Sequence, residues 1–443
     1  MPPIQGLSRQ PNALLSVSRI NLFSTLSFLV AFSTGFFMQF NVMTAAFGLP
    51  FLRLTDALLF LFIPCLFVSV GPGNTVRYGL LYFVMLLALV MASLLFKTGV
   101  EQGDTYLTLI LLASGVLAFY FAHLARDERF LVWFSVGICL GLLPSLLVLF
   151  LQAAAGAKAP LAAIGLGVPA ELLSVRAARA TEIKLGGIWA AGNEAGHVYS
   201  LATASALYLA LKLRRPFIYI TAYVLLVASF ALTLNRAGMI APTLGLLYLY
   251  YRLGNFFLYA KTALMGLCVA TILLSYANVD ALDSFYDAIE NRFLSDSYVE
   301  TNASERFDST IAGLEIAFEN PFGIGNDARV SQVLSMTADA EESVHNGFLS
   351  LAFQSGLFIS LLYILSGIYL LIQRKTVHPL LIIMFLFTAS SMFFEEVTIN
   401  PFFIFSITIT IASAWLHYAR KPRRSPAAVT APRSIKLANQ QAT

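Results

Sequence analysis

The sequence predicts an all-α polytopic membrane protein with about twelve transmembrane helices and one sizeable polar loop outside the bilayer. Three observations carry that expectation. Of 443 residues, 58% are hydrophobic and only 12% charged, with a mean hydropathy of +0.76. Ordinary soluble domains carry roughly 25% charged residues, so the polar surface here is too small to cover a soluble particle. Apolar runs of about 20 residues, enough to cross a ~30 Å hydrocarbon core, recur along most of the chain. The charges between those runs are sorted by position rather than spread evenly.

The apolar runs place helices at roughly 20–40, 52–70, 78–96, 105–123, 130–152, 187–211, 216–233, 236–251, 256–276, 346–372, 378–394 and 399–417. The first is too long for a signal-peptide core and lacks a small-residue cleavage site, so it reads as a retained helix behind a polar cytoplasmic segment, 1–19. With the N-terminus inside, the predicted cytoplasmic loops hold Arg77; Arg126 and Arg129; Lys212, Arg214 and Arg215; Arg252; and Arg374 and Lys375. The basic tail of 418–443 adds Arg420, Lys421, Arg423 and Arg424. Short loops this rich in Lys and Arg fit the positive-inside rule, and an even span count puts both termini in the cytoplasm. The tail, rich in Pro, Ala and Ser beyond its basic start, reads as disordered. Cys65, Cys139 and Cys268 each lie in an apolar run without metal-ligand or CxxC spacing and read as small buried hydrophobes.

The outer side then receives a segment of about 153–186, the turn Thr233–Gly238 and a long loop of roughly 277–345. That loop holds more than half of the chain's acidic residues and three basic ones, Arg292, Arg306 and Arg329. Asn302 with Glu305 resembles a capping box. Phe307, Ile311, Leu314 and Phe318 recur at helical spacing, and the apolar face they form is expected to dock on the membrane domain. Asn320-Pro321 ends that helix, and Gly323 and Gly325 supply turn chemistry.

Several polar groups stand where lipid would make them expensive. Arg236 interrupts a long apolar stretch with almost no loop around it, on the side where a topology charge has the wrong sign. Its fork of donors suits a phosphate group. His345 stands where the acidic loop meets the tenth span. It reads either as a general base at the mouth of a polar cavity or as a capping, interfacial group. Asn346, Ser350 and Gln354, four residues apart, form a polar stripe on that span. Arg306 reads as a ligand of an anion or as a surface ion pair. Arg176 and Arg179 read as phosphate ligands or solvated charges. Asn193, with Glu194 and His197, lines a cavity or bonds a neighbouring helix. The sequence carries no P-loop, HExxH or GxSxG, and no carboxylate pair in the first outer loop, so no metal or other cofactor is expected.

Three blocks resemble the superfamily of O-antigen ligases and Wzy-type polysaccharide polymerases. They are Thr233-Leu-Asn-Arg236-Ala-Gly-Met, then Glu305-Arg306-Phe followed by Glu319-Asn-Pro-Phe-Gly-Ile-Gly-Asn326, then Val344-His345-Asn346-Gly-Phe-Leu with Gly356-Leu. Asn235 and Ala237 depart from the family's usual Ser and Gly. Phe307 stands near its common Trp, and Gln354 near its frequent Glu.

The resemblance implies a GT-C-like membrane fold in the bacterial inner membrane. It implies metal-independent, inverting transfer of a glycan from undecaprenyl diphosphate to an acceptor hydroxyl at the periplasmic face. His345 would be catalytic. Arg236, Arg306, Arg176 and Arg179 would bind the diphosphate. Asn346, Gln354 and Asn193 would line the cavity or contact the acceptor. The expected partners are the lipid-linked donor, a glycan or lipid A-core acceptor, the bilayer and envelope assembly proteins, with no nucleic acid. A chain polymerase of the same superfamily is the nearest alternative, and a flippase or transporter the more distant one. A transporter should show repeat symmetry and matching midplane sites, whereas these polar candidates gather on one face.

Overall fold

The computed structural model describes residues 22–37, 78–97, 102–125, 127–155, 192–213, 216–233, 310–325, 346–394 and 401–419, with single positions between 240 and 264 and at 307. Among them the regular structure is entirely helical. The helices are α1 (Leu22–Phe37), α2 (Leu80–Leu95), α3 (Gln102–Leu124), α4 (Glu128–Ala155), α5 (Gly192–Leu213), α6 (Pro216–Thr233), α7 (Gly347–Ser355), α8 (Leu357–Ile372), α9 (Pro379–Phe394) and α10 (Pro401–Ala419). A further helical stretch covers 310–319. Among the described residues one helix, Glu128–Leu149, is long and apolar enough by length and composition to cross a membrane, and six other apolar helices are shorter. The spans expected at 52–70 and 256–276, and most of that at 236–251, lie outside the described residues.

The packing is inside-out relative to a soluble bundle. Along α8, Phe358, Leu361, Leu365, Ile368 and Ile372 recur on one face and are all exposed. The interior meanwhile holds many Ser and Thr side chains, among them Ser114, Ser200, Thr203, Thr408 and Thr410. Several satisfy themselves on the preceding helical turn, as Thr203 does on the Tyr199 carbonyl at 2.8 Å and Thr410 on that of Ser406 at 2.8 Å. Others link helices, as Ser145 with Tyr199 at 2.6 Å. An exposed apolar stripe with hydroxyls bonded to neighbouring carbonyls is what a hydrocarbon solvent favours, though among the described residues the Ser114, Ser135, Ser205 and Ser413 hydroxyls make no such bond.

Small residues allow the closest helix contact. Gly137 and Gly141 stand four apart on α4 and Gly35 lies opposite on α1. A methyl group on Gly137 would meet the backbone of Phe32 and Phe36, and one on Gly35 the backbone of Phe134 and Ile138. This is the small-residue approach of membrane helices, where dispersion and not water exclusion draws the helices together. Gly137→Leu is expected to destabilise the protein by about 1–3 kcal/mol through overpacking. Thermal unfolding of the purified protein in detergent measures it, and an unchanged midpoint would remove the close approach from the account.

The predicted cytoplasmic loops meet at one end. The Lys212 ammonium lies 2.6 Å from Glu128. Arg252 donates to the carbonyls of Arg374 at 2.6 Å and Lys375 at 3.1 Å, supplying donors just past the end of α8, where carbonyls have no helical partner. His378 lies 3.4 Å from the Tyr208 hydroxyl, and His417 binds Thr376 at 2.9 Å. The His378 Nδ1 accepts the Leu380 N–H at 3.2 Å.

Two expectations are corrected. The tenth span is not one helix over 346–372. It breaks at Gly356, whose φ of +96° is a conformation that L side chains rarely adopt. The apolar side chains Phe307, Ile311, Leu314 and Phe318 do not dock on the protein either. All four are exposed, and the docked face of the 310–319 helix is that of Ile316 and Ala317. Gly313 is buried on the same helix.

Candidate functional site

The site is built around α7, a helix of nine residues. At 1.5 Å per residue it reaches only about 14 Å. It begins at Asn346, whose extended backbone (φ −144°, ψ 109°) turns the chain into the helix. The Asn346 side-chain oxygen accepts the N–H groups of Phe348 at 3.0 Å and Leu349 at 3.2 Å. The cap of α7 therefore belongs to Asn346, and the capping reading of His345 is not needed to account for this helix start.

The polar stripe faces inward, with Ser350 and Gln354 both buried. Gly347 lies against α9, where an added methyl group would stand 3.0 Å from Met392. The docked face of the 310–319 helix, with Ile324, closes over Leu349, Ala352 and Phe353.

At Gly356 the chain turns back instead of continuing. The Ser360 hydroxyl donates to the Phe348 carbonyl at 3.0 Å, and the Phe348 ring stacks on Tyr363 at 6.0 Å. The start of α7 thus lies beside the first two turns of α8, roughly 5–9 Å along its axis from Leu357. His345 is the residue before that cap in the chain.

The carbonyl end of α7 is held by two other parts of the chain. The turn at 320–325 sends the N–H groups of Ile324 and Gly325 to the Phe353 carbonyl at 2.7 and 3.2 Å, while Leu357 donates to the Pro321 carbonyl at 2.8 Å. The end of α2 adds Ser93, donating to the Phe322 carbonyl at 2.6 Å, and Lys97, donating to the Gln354 carbonyl at 2.5 Å. The Phe96 ring stacks on Phe322 at 4.4 Å. Gly323, at φ +89°, has no room for a side chain, since a methyl group there would stand 2.6 Å from the Phe353 oxygen.

Of the residues singled out from the sequence, Asn346 and Gln354 lie on this element. Asn193 lies in α5, with its side chain outside the described residues. His345, Arg236, Arg306, Arg176 and Arg179 lie outside the described residues. Arg236 follows the end of α6 in the chain, and Arg306 precedes the 310–319 helix that closes over α7. Lys97 went unnoticed in the sequence. The signal was there, because Lys97, like Arg236, is a cation beside an apolar run on the predicted outer side.

The fold and this site describe an all-α protein with an exposed apolar belt and a broken, internally clamped helix. Residues 221–364, about a third of the chain, match the family model of O-antigen ligase, which supports membership of the O-antigen ligase and Wzy-type superfamily. The matched segment runs from α6 into α8 and contains the 310–319 helix, the 320–325 turn, α7 and the fold-back. No curated protein matches the chain.

Proposed function

We propose that this protein is a glycosyltransferase of the bacterial inner membrane. It moves a glycan from undecaprenyl diphosphate to an acceptor sugar hydroxyl at the periplasmic face, without a metal and with inversion. What carries the reading is the family match over 221–364, a segment that contains the three sequence blocks and α7. His345 takes the proton of the acceptor hydroxyl as that oxygen attacks the anomeric carbon. The bond from that carbon to the diphosphate oxygen breaks on the opposite face, which inverts the centre. A positioned base contributes typically 10²–10⁴-fold. Arg236 and Arg306 bind the diphosphate and hold the charge that grows on the leaving group, with Arg176 and Arg179 as further ligands. Asn346, Gln354 and Asn193 line the acceptor cavity. With twelve spans and both termini cytoplasmic, His345, Arg236 and Arg306 all fall on the periplasmic side.

Deletion of the gene followed by analysis of envelope glycans tests this. Lipid-linked polymer accumulating without its acceptor identifies a ligase. Loss of long chains with single repeats retained identifies a polymerase. An unchanged glycan profile would bring the reading down. Arg236→Lys is expected to reduce transfer at least tenfold, because an ammonium cannot reproduce the bidentate fork on a diphosphate. Wild-type transfer rates in that variant, measured on a lipid-linked donor, would leave Arg236 a structural role.

A further inference from the structure

The supports of α7 are unevenly divided between its two ends. Its start carries its own cap, Asn346. Its carbonyl end depends on groups from elsewhere in the chain: the backbone of the 320–325 turn and the side chain of Lys97. Lys97 is buried although it bears a charge, and it stands just beyond the end of α2. A buried ammonium is expensive unless it is paired. One partner here is the Gln354 carbonyl, two residues before the fold-back. A helix end of this kind carries about half a negative charge on its free carbonyls, and a cation placed there is held by the dipole as well as by the hydrogen bond. The adjoining Ser93 and Phe96 grip Phe322 of the turn. Lys97 therefore sits at the junction of α2, the turn and the fold-back.

The opposite end of α7 is wedged by Gly347 against Met392. A rigid nine-residue rod held at both ends can shift only if one hold is released. Release at Gln354 would let α7 slide or tilt over α8 and carry its start with it.

Resting on the transferase reading above, we propose that Lys97 is a positioning residue of the transfer reaction. By fixing the carbonyl end of α7 it sets where the start of that helix, and the His345 that precedes it, meets the acceptor. Lys97 itself touches neither donor nor acceptor.

Wild type, Lys97→Met, Lys97→Arg and His345→Ala are compared as purified full-length proteins in lipid nanodiscs, with an undecaprenyl-diphosphate-linked glycan as donor. For Lys97→Met, kcat should fall at least about tenfold, because misplacement by an ångström is worth that much or more. The donor KM should stay within about threefold. Lys97→Arg, which restores a cation, should recover kcat to within about threefold of wild type. Hydrogen exchange on the same samples needs no substrate. Lys97→Met should speed exchange in α7 at least about tenfold, including Phe348 to Ser350 at its far end, and leave α9 unchanged.

Wild-type kcat in Lys97→Met overturns the proposal. So does a raised donor KM at constant kcat, which would make Lys97 a donor ligand, or a loss that only follows the amount of folded protein. Where Lys97→Met does not accumulate, Lys97→Gln takes its place and the same outcomes decide. A wild-type protein that transfers nothing, with the exchange effect as expected, would bring down the transferase reading and leave the hold of Lys97 on α7 standing.

Discussion

His345→Ala is expected to abolish measurable glycan transfer while the protein still inserts and folds. The loss of a positioned general base is worth about 10²–10⁴-fold. The structure separates this effect from a stability effect. The cap of α7 is the Asn346 side chain, bonded to the N–H groups of Phe348 and Leu349, so that cap is retained in His345→Ala. Asn346→Ala is the contrasting variant, and it should cost about 0.5–2 kcal/mol of stability through the lost cap. Transfer by His345→Ala at wild-type rates in nanodiscs would sink the catalytic assignment.

The second large effect is on stability. Gly323→Ala should destabilise the protein by roughly 2–4 kcal/mol. At φ +89° a residue with a side chain is strained by about 1–3 kcal/mol. The new methyl group would also stand 2.6 Å from the Phe353 oxygen, the acceptor for Ile324 and Gly325. Pushing that oxygen away weakens hydrogen bonds worth about 0.5–1.5 kcal/mol each. Activity should fall with stability, because the same turn holds the carbonyl end of α7. The unfolding midpoint of the detergent-purified variant reads this directly, and one within about 2 °C of wild type would contradict it.

Sequence pattern located the helices well where chemistry punctuates them. The stretch expected at 216–233 is α6 residue for residue, because Arg214, Arg215 and Pro216 start it and polar residues follow Thr233. The break at Gly356 was not legible. The run from Gly347 to Ile372 is apolar on both sides of it, and an isolated glycine is tolerated inside a helix. What forces the positive φ is the 320–325 turn, some thirty residues earlier, bonding to Phe353 and Leu357.

On the 310–319 helix the period was right and the facing wrong. Spacing shows that an apolar arc exists, but it does not say which part of the arc meets protein. The polar stripe of Ser350 and Gln354 was legible because polar residues in an apolar helix must turn inward. Lys97 stands out in the sequence only as a cation beside an apolar run; its bond to the Gln354 main-chain carbonyl leaves no trace in residue identities.

The shortness of α8 has a consequence for the lipid. α8, which starts at the fold-back, has sixteen helical residues from Leu357 to Ile372, about 24 Å of helix against a hydrocarbon core of ~30 Å. A bilayer accommodates such hydrophobic mismatch by thinning, at a fraction of a kcal/mol per ångström. On that account the bilayer surface would dip beside the start of α7. On the reading proposed above, the membrane itself would bring the head group of a lipid-linked donor nearer to that helix start.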